Sequence, residues 1–160
     1  MADLANVLAL SRTLADCSNF DDLVASVATN TRALIGADGA TVVMQRNGRC
    51  HYVGEDAIGA LWKGQDFPMG ACVSGWAMTH RQQVVIPDIR TDARVPQLLY
   101  LATFVRSLAM TPIERGGESI GAIGVYWETF HQATQQELLA LRAIAESVAP
   151  CLLSVRSAAR

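Results

Sequence analysis

Apolar side chains recur at helical spacing in the first 35 residues, in two segments separated by a polar break at residues 17–19. Ser18 or Asn19 can cap the second segment, and Gly36 follows it as a stop. The pattern therefore predicts two helices. The apolar positions are Leu4, Val7, Leu8 and Leu14 in the first helix, and Phe20, Leu23, Val24, Val27, Ala28, Thr31, Leu34 and Ile35 in the second.

The pattern then changes to a period of two, which is typical of strands with one buried face. Residues 40–45 and 50–53 alternate on either side of an Asn47-Gly48 turn, so we predict a β-hairpin. A second hairpin is predicted over residues 107–127, around the Gly116-Gly117 pair.

The middle of the chain mixes short elements with long connections. Residues 54–71 hold four glycines and one proline, and we expect them to form a loop. Residues 72–80 predict two helical turns, and residues 83–86 predict a strand that the following proline ends. A polar loop over 88–95 precedes a short apolar helix over 96–102.

A long helix is predicted at the end of the sequence. Thr134 and Glu137 have the spacing of a capping box. Pro150 lacks a backbone donor and is expected to bend or break the helix. Apolar residues recur there at steps of three and four, at Leu138, Leu141, Ala145, Val148, Leu152 and Val155.

The order of these elements predicts an α+β fold with a central antiparallel β-sheet of five to six strands. Strands joined by tight turns must be antiparallel, and helices from both ends of the chain can share one face of the sheet. The long connections at 54–82 and 87–106 must then cover the other face.

Composition and charge narrow the class of protein. The 160 residues are 51% hydrophobic and 18% charged, so we expect one folded domain over residues 1–160. The net charge of -2, without a basic stripe, argues against nucleic acid as a partner. Apolar runs such as 98–105 are shorter than the roughly 20 residues that span a bilayer. A secretory signal begins with a basic region, whereas this sequence has the acidic Asp3 there. We therefore expect a cytoplasmic protein without a membrane segment.

The titratable residues do not form a recognisable metal or nucleophile motif. The four cysteines lie far apart in sequence, without a Cys-x-x-Cys pair, and we expect reduced thiols. Cys50 and His51 are adjacent on a strand and point to opposite faces, so they cannot easily share an ion. Cys72 and His80 are separated by about 12 Å on a helix, too far for a dyad. His80 is better placed to meet the last carbonyls of its helix.

No sequence pattern indicates nucleotide or ester hydrolysis. A phosphate-binding glycine loop is missing, and Ser74 lacks the first glycine of a hydrolase elbow because Cys72 stands there.

The long connections are rich in aromatic side chains. This content favours a lid that covers a small-molecule pocket, and the alternative is that the same side chains simply fill a core. Arg106 is a possible anchor for an anionic group. The candidate ligand-binding residues are Phe67, Cys72, Trp76, Tyr100, Phe104, Arg106 and Met110.

The central motifs resemble those of GAF domains. The segments are 66–70 (Asp-Phe-Pro-Met-Gly), 73–77 (Val-Ser-Gly-Trp-Ala) and 84–88 (Val-Val-Ile-Pro-Asp), with Asp92 and Arg94 after them. Residues 106–125 look like the last hairpin of the family. The resemblance covers about residues 18–153, which would be the core of the domain.

This resemblance implies a non-catalytic sensory input domain, as found in bacterial histidine kinases, diguanylate cyclases and phosphodiesterases. Such domains often dimerise through their terminal helices, which the spacing from Leu138 to Val155 would fit, although packing on the sheet explains the spacing equally well. No kinase or cyclase follows within the sequence, so we expect a homodimer that acts on an output partner such as a histidine kinase. A dimerisation module without a ligand is the alternative.

The resemblance leaves the cofactor unknown. Cyclic-nucleotide binders carry an Asn-Lys pair that this sequence lacks. Bilin binders attach the pigment to a cysteine that lies later in the sequence than the Cys50-His51 pair does here, although Cys72 leaves bilin attachment open. None of the three histidines is an obvious haem ligand. The free methionine sulfoxide reductases have cysteine where this sequence has Ser74, so an enzyme of that kind is the less favoured alternative.

Overall fold

A computed structural model describes residues 4–158 and shows the layered α+β arrangement that the periodicity predicts. Two three-residue 3₁₀ turns, Met69–Ala71 and Ile89–Thr91, interrupt the connections. The helices are α1 (Leu4–Ala15), α2 (Phe20–Ile35), α3 (Val73–His80), α4 (Gln97–Tyr100) and α5 (Gln135–Ala158). The strands are β1 (Gly39–Arg46), β2 (Arg49–Ala57), β3 (Asp66–Pro68), β4 (Val84–Ile86), β5 (Ser107–Arg115) and β6 (Glu118–Trp127).

The strands form one antiparallel six-stranded sheet in the order β3-β2-β1-β6-β5-β4. Both predicted hairpins are confirmed, as β1–β2 and β5–β6. The second strand extends beyond the predicted residues 50–53, and residues 66–68, which were predicted as loop, form edge strand β3. A three-residue strand is too short to show a period, and its pairing with Cys50 in β2 is what identifies it.

Helices α1, α2 and α5 cover one face of the sheet, which we call the helix face. Asn19 caps α2 by accepting the Asp22 amide at 2.8 Å, and Gly36 ends the helix with a positive φ of 78°. The core on this face is almost entirely aliphatic, and its fully buried members include Leu14, Leu23, Val27, Ile113, Ile123, Ile144, Val148 and Leu152.

Helix α5 begins with the predicted capping box. Glu137 donates its amide to Thr134 Oγ1 at 3.0 Å, and its carboxylate accepts the Thr134 amide at 2.8 Å. Of the bend or break expected at Pro150, the break does not occur: the helix continues to Ala158, and Pro150 is exposed. Four of the regularly spaced apolar residues are buried in the domain's own core, so packing on the sheet accounts for their spacing: Leu141, Ala145, Val148 and Leu152.

One helix has the length and composition of a membrane span, contrary to the sequence expectation. Residues 135–155 have a mean hydropathy of 1.7. The apolar side of this helix packs against β5, α1 and α2, which explains its hydropathy as that of a core helix.

The opposite face of the sheet is covered by residues 58–83 and 87–106, which we call the lid. These segments contain β3, α3, α4 and both 3₁₀ turns, so the expected division between terminal helices and connections is confirmed. The second apolar core lies between the lid and the sheet, and unlike the first it is rich in aromatic rings and sulfur.

Candidate functional site

Four aromatic rings, which we call the aromatic cluster, fill the space between the lid and the sheet. Trp62 is at the centre, with ring centroids 4.7 Å from Tyr100, 5.5 Å from Tyr52 and 5.6 Å from Tyr126. The indole nitrogen of Trp62 donates to the Leu99 carbonyl at 3.2 Å, which fastens α4 to the cluster. All four side chains are at most 4% exposed, so the centre of the lid face is a packed core.

A carboxylate holds Trp62 in this position. The backbone amides of Leu61, Trp62 and Lys63 all donate to Glu55, at 2.8 to 3.0 Å. Because an ionised carboxylate accepts such bonds strongly, Glu55 fixes the loop after β2 and directs the indole under the lid.

Room for the phenol of Tyr126 comes from a glycine on the same strand. A Cβ at Gly124 would lie 2.5 Å from the Tyr126 hydroxyl and 2.8 Å from the Met110 Cε atom. The hydroxyl of Tyr126 pairs with Thr41 Oγ1 at 2.8 Å, so this buried polar group is satisfied.

The predicted ligand-binding residues divide into buried and marginal positions. Tyr100 and Met110 are buried in the lid core, and Met110 is fully inaccessible. Phe67 lies on edge strand β3, with its ring 5.6 Å from that of Tyr52. Phe104 is half-buried at the margin of the same core and packs near Gly59 and near Gly39 at the start of β1.

Trp76 does not join the aromatic cluster. It is half-buried on α3, where it stacks on His80 at 4.0 Å and the Arg94 guanidinium lies 4.7 Å above its ring. The ring of His80 also bonds the Trp76 carbonyl at 2.9 Å, in agreement with the predicted role at the helix end. Arg94 is held by the Asp92 carboxylate, with a contact of 2.7 Å.

Arg106 lies at the edge of the lid in an ion pair with Asp88. Its Nε and Nη2 atoms each lie 3.2 Å from an oxygen of that carboxylate. Arg106 and then Arg90, which also bonds this carboxylate, hold the pKa of Asp88 well below its usual range. A cavity of about 170 Å³ opens beside the pair, lined by Ile89, Arg90, Gln97, Tyr100, Leu101, Thr103, Val105 and Arg106.

Cys72 belongs to a polar group at the other end of the lid. Its sulfur lies 3.1 Å from that of Cys50 on β2, and it accepts a hydrogen bond from Ser74 at 3.3 Å. Ser74 in turn lies 3.0 Å from the Tyr52 hydroxyl, and the Cys50 sulfur lies 3.5 Å from that of Met69. The cysteines that are far apart in sequence thus include a pair in contact, which we call the thiol pair.

The thiol pair is electrostatically asymmetric. The hydrogen bond with Cys50 lowers the pKa of Cys72 to about 6, with further stabilisation by Ser74 and the Gly75 amide, while burial opposes the shift. The same contact, together with burial, raises the pKa of Cys50 far above its ordinary value. Cys72, with its hydrogen bonds from Ser74 and the Gly75 amide, is therefore the more acidic thiol of the two.

The lid is tied to the C-terminal helix through Gln83. Its side-chain amide donates to the Leu138 carbonyl at 2.9 Å and accepts from Arg142 at 3.0 Å. A cavity of about 530 Å³ lies against this bridge, with Arg81, Glu114 and Glu146 among its charged lining residues. The segment between α3 and β4 is thus in direct hydrogen-bond contact with α5.

Several of these residues were not identified from sequence. Glu55, Tyr52 and Cys50 were assigned no role because strand periodicity shows only which face a side chain occupies. Among residues 4–158, no three histidine, cysteine or carboxylate side chains converge on a point where they could hold a metal ion.

Comparison with known proteins identifies the fold family. The family model described as GAF domain matches residues 19–152. The chain belongs to the GAF domain family. No match is found among curated protein sequences.

Solved structures with the same fold include proteins of different function. The GAF domain of a phosphoenolpyruvate-protein phosphotransferase from Coxiella burnetii is 13% identical, with a TM-score of 0.86 over 98% of this chain and 95% of that one. The free methionine-R-sulfoxide reductase from Neisseria meningitidis is 17% identical, with a TM-score of 0.82 over 99% and 96%. A methyl-accepting chemotaxis protein segment is 16% identical, with a TM-score of 0.79 over 93% and 98%. Identities this low establish the fold alone.

Proposed function

We propose that this GAF domain is a cytoplasmic sensory and regulatory input domain. It binds a small molecule at the lid and signals through its terminal helices to an output domain, that of a two-component sensor histidine kinase or a cyclic-di-GMP enzyme. The observation that carries the proposal is the double hydrogen bond of Gln83 to Leu138 and Arg142 on α5. It provides a short physical path from the lid to a helix that can continue into a partner domain.

The ligand site we favour is the cavity beside Arg106. A small anion there would compete with Asp88 for the guanidinium, so binding would exchange an internal ion pair for an external one. Tyr100 and Arg106 line this cavity, and Phe104 is close to them in sequence. Phe67, Cys72, Trp76 and Met110 lie outside its lining and would respond to a ligand through movement of the lid.

Such a ligand regulates α5 only if it prefers one arrangement of the lid over another. Opening of the Arg106–Asp88 pair supplies a difference between two arrangements, since Asp88 also accepts the Arg90 amide at the start of the 3₁₀ turn. We therefore expect binding to loosen the segment that leads into α4.

Native mass spectrometry of freshly purified protein, with an absorption spectrum, tests for a retained ligand. A small bound mass or a visible band supports sensing, and a bare protein across a screen of anionic metabolites contradicts it. Arg106→Gln removes the proposed anchor, and we expect at least a tenfold loss of affinity for a ligand found in this way.

The path to α5 is tested with Gln83→Ala and, as its matched control, Gln82→Ala, an exposed neighbour. In the unaltered protein we expect the ligand to change hydrogen exchange in α5. Gln83→Ala should abolish that change while keeping ligand affinity, and Gln82→Ala should preserve it. An equal ligand response in both variants contradicts the proposed path.

A homodimerisation module without a ligand is the second candidate. Leu8 on α1 is 64% exposed and Leu139 on α5 is 57% exposed, so both terminal helices have apolar side chains on the outside of the domain. Sedimentation of the unaltered chain and of Leu139→Glu separates the two functions. A dimer that this substitution dissociates, in a protein that binds nothing in the metabolite screen, favours the module.

A reductase resembling the Neisseria meningitidis enzyme is the third candidate, favoured only by the ionisable Cys72 beside Cys50. Ser74 occupies the position where the resemblance places a cysteine, and the aromatic cluster fills the space above it. Thiol-dependent loss of free methionine-R-sulfoxide with repeated turnover would establish this activity.

A further inference from the structure

The thiol pair is arranged for formation of a covalent bond. The two sulfur atoms lie 3.1 Å apart, and a disulfide requires about 2.05 Å, so an approach of about 1 Å is enough. Cys50 is held in β2 by its pairing with Gln45 on one side and Phe67 on the other. Cys72 is the N-cap residue of α3 and directly follows the short 3₁₀ turn Met69–Ala71.

The surroundings of the pair assign different chemical roles to its members. Cys72 receives hydrogen bonds that favour the thiolate, from Ser74 and from the first turn of α3. Cys50 is fully buried, in contact with the Cys72 and Met69 sulfurs, and this burial favours the neutral thiol. Oxidation to a disulfide proceeds in two steps from such a pair. The more acidic thiol reacts first, as its thiolate, and the neighbouring thiol then forms the bond between the two sulfur atoms.

The cover over the pair is thin. Cys72 is 5% exposed, and the two residues before it, Gly70 and Ala71, are exposed. The 3₁₀ turn Met69–Ala71 is the only regular structure between the previous strand and the thiol. A peroxide that passes this short, exposed turn would reach the Cys72 sulfur.

We propose that Cys50 and Cys72 form a reversible dithiol–disulfide switch that is oxidised by peroxides. The Cys72 thiolate attacks one peroxide oxygen, the O–O bond breaks, and a sulfenic acid forms as hydroxide leaves. The Cys50 sulfur then attacks the Cys72 sulfur and the S–O bond breaks. The oxygen that was bound to the Cys72 sulfur leaves as water, because it takes up the proton of the Cys50 thiol. With hydrogen peroxide the balance is two thiols and one peroxide to one disulfide and two waters.

This switch goes beyond the proposed function because it requires no ligand beside Arg106. The disulfide would join the start of α3 to β2, and α3 leads directly to Gln83 and its contacts with α5. The oxidation state of the pair is therefore a second input to the same lid.

The test uses the full chain with Cys17→Ser and Cys151→Ser, so that the thiol pair alone can be oxidised. These two residues are half-buried thiols that line a separate cavity of about 320 Å³ between the ends of α1 and α5. After treatment with hydrogen peroxide, we expect the intact mass to fall by that of two hydrogen atoms. A peptide map should show Cys50 linked to Cys72 within one chain, and dithiothreitol should restore the original mass. Sulfinic acid at Cys72 without linkage, or linkage only between chains, overturns the proposal.

Two further variants in this background test the roles within the pair. Cys50→Ser should leave a Cys72 sulfenic acid that dimedone traps, and Cys72→Ser should react at Cys50 at least tenfold more slowly. Equal rates for the two single thiols contradict the assignment. The peptide map requires no substitution at the pair itself, so it decides the proposal even if either variant fails to fold.

Discussion

The cores on the two faces of the sheet use different chemistry. The helix face packs aliphatic residues such as Leu23 and Ile144 under long helices. The lid face buries aromatic hydroxyls, thiols and an indole, and each of the polar groups at Tyr52, Ser74 and Trp62 has a partner. Aliphatic packing under helices is stable and chemically inert, whereas hydrogen-bonded polar groups under short segments can exchange partners. The helix face therefore stabilises the domain, and the lid face provides its reactive and responsive groups.

The largest expected effect comes from removing the central ring of the lid face. Trp62→Ala should destabilise the protein by about 4 kcal/mol, since it leaves a cavity among three aromatic rings. The matched variant on the helix face is Ile144→Ala, with an expected loss of about 3 kcal/mol. Chemical denaturation measures both losses.

Hydrogen exchange then separates the two faces. For Trp62→Ala we expect faster exchange concentrated in residues 58–83 and 87–106, because the lid can open by itself. For Ile144→Ala we expect faster exchange throughout the sheet and helices. The same uniform pattern in both variants would show that the faces unfold as one unit.

A smaller effect is expected from the carboxylate that positions the indole. Glu55→Gln keeps the shape but replaces charged acceptors of three backbone amides, and we expect a loss of about 2 kcal/mol. The emission of Trp62, measured with Trp76 and Trp127 replaced by phenylalanine, should shift to longer wavelength as the indole gains water. An unshifted spectrum would mean that ring packing alone holds Trp62.

The smallest effect is a dependence of the lid on acid. Arg106 and Arg90 depress the pKa of Asp88, so this group stabilises the folded lid above its unfolded pKa of about 4. That stability is lost as pH falls below this value towards the folded pKa. With the same single-tryptophan variant, we expect an acid-induced change in emission below about pH 4 that Asp88→Asn flattens. An identical acid transition in Asp88→Asn would assign it to other carboxylates.

Prediction from sequence was most successful where a local pattern repeats. The period of two located both hairpins, and Asn19 and Thr134 marked the starts of their helices. It was least successful for β3, which is defined by its partner strand, and it did not distinguish a bend from a break at Pro150, where the helix continues.

The sequence by itself determined the order of elements, the division of the sheet into two faces, and the resemblance to GAF domains. The order of elements and the two faces depend on periodicity and capping, which act within a few residues of the chain, and the resemblance rests on short motifs. The tertiary structure decided that Trp62 fills the lid, that Arg106 is paired with Asp88, and that Cys50 meets Cys72, 22 residues later in the chain. Such contacts depend on the register of strands and on where a loop returns, so spacing along the chain does not predict them.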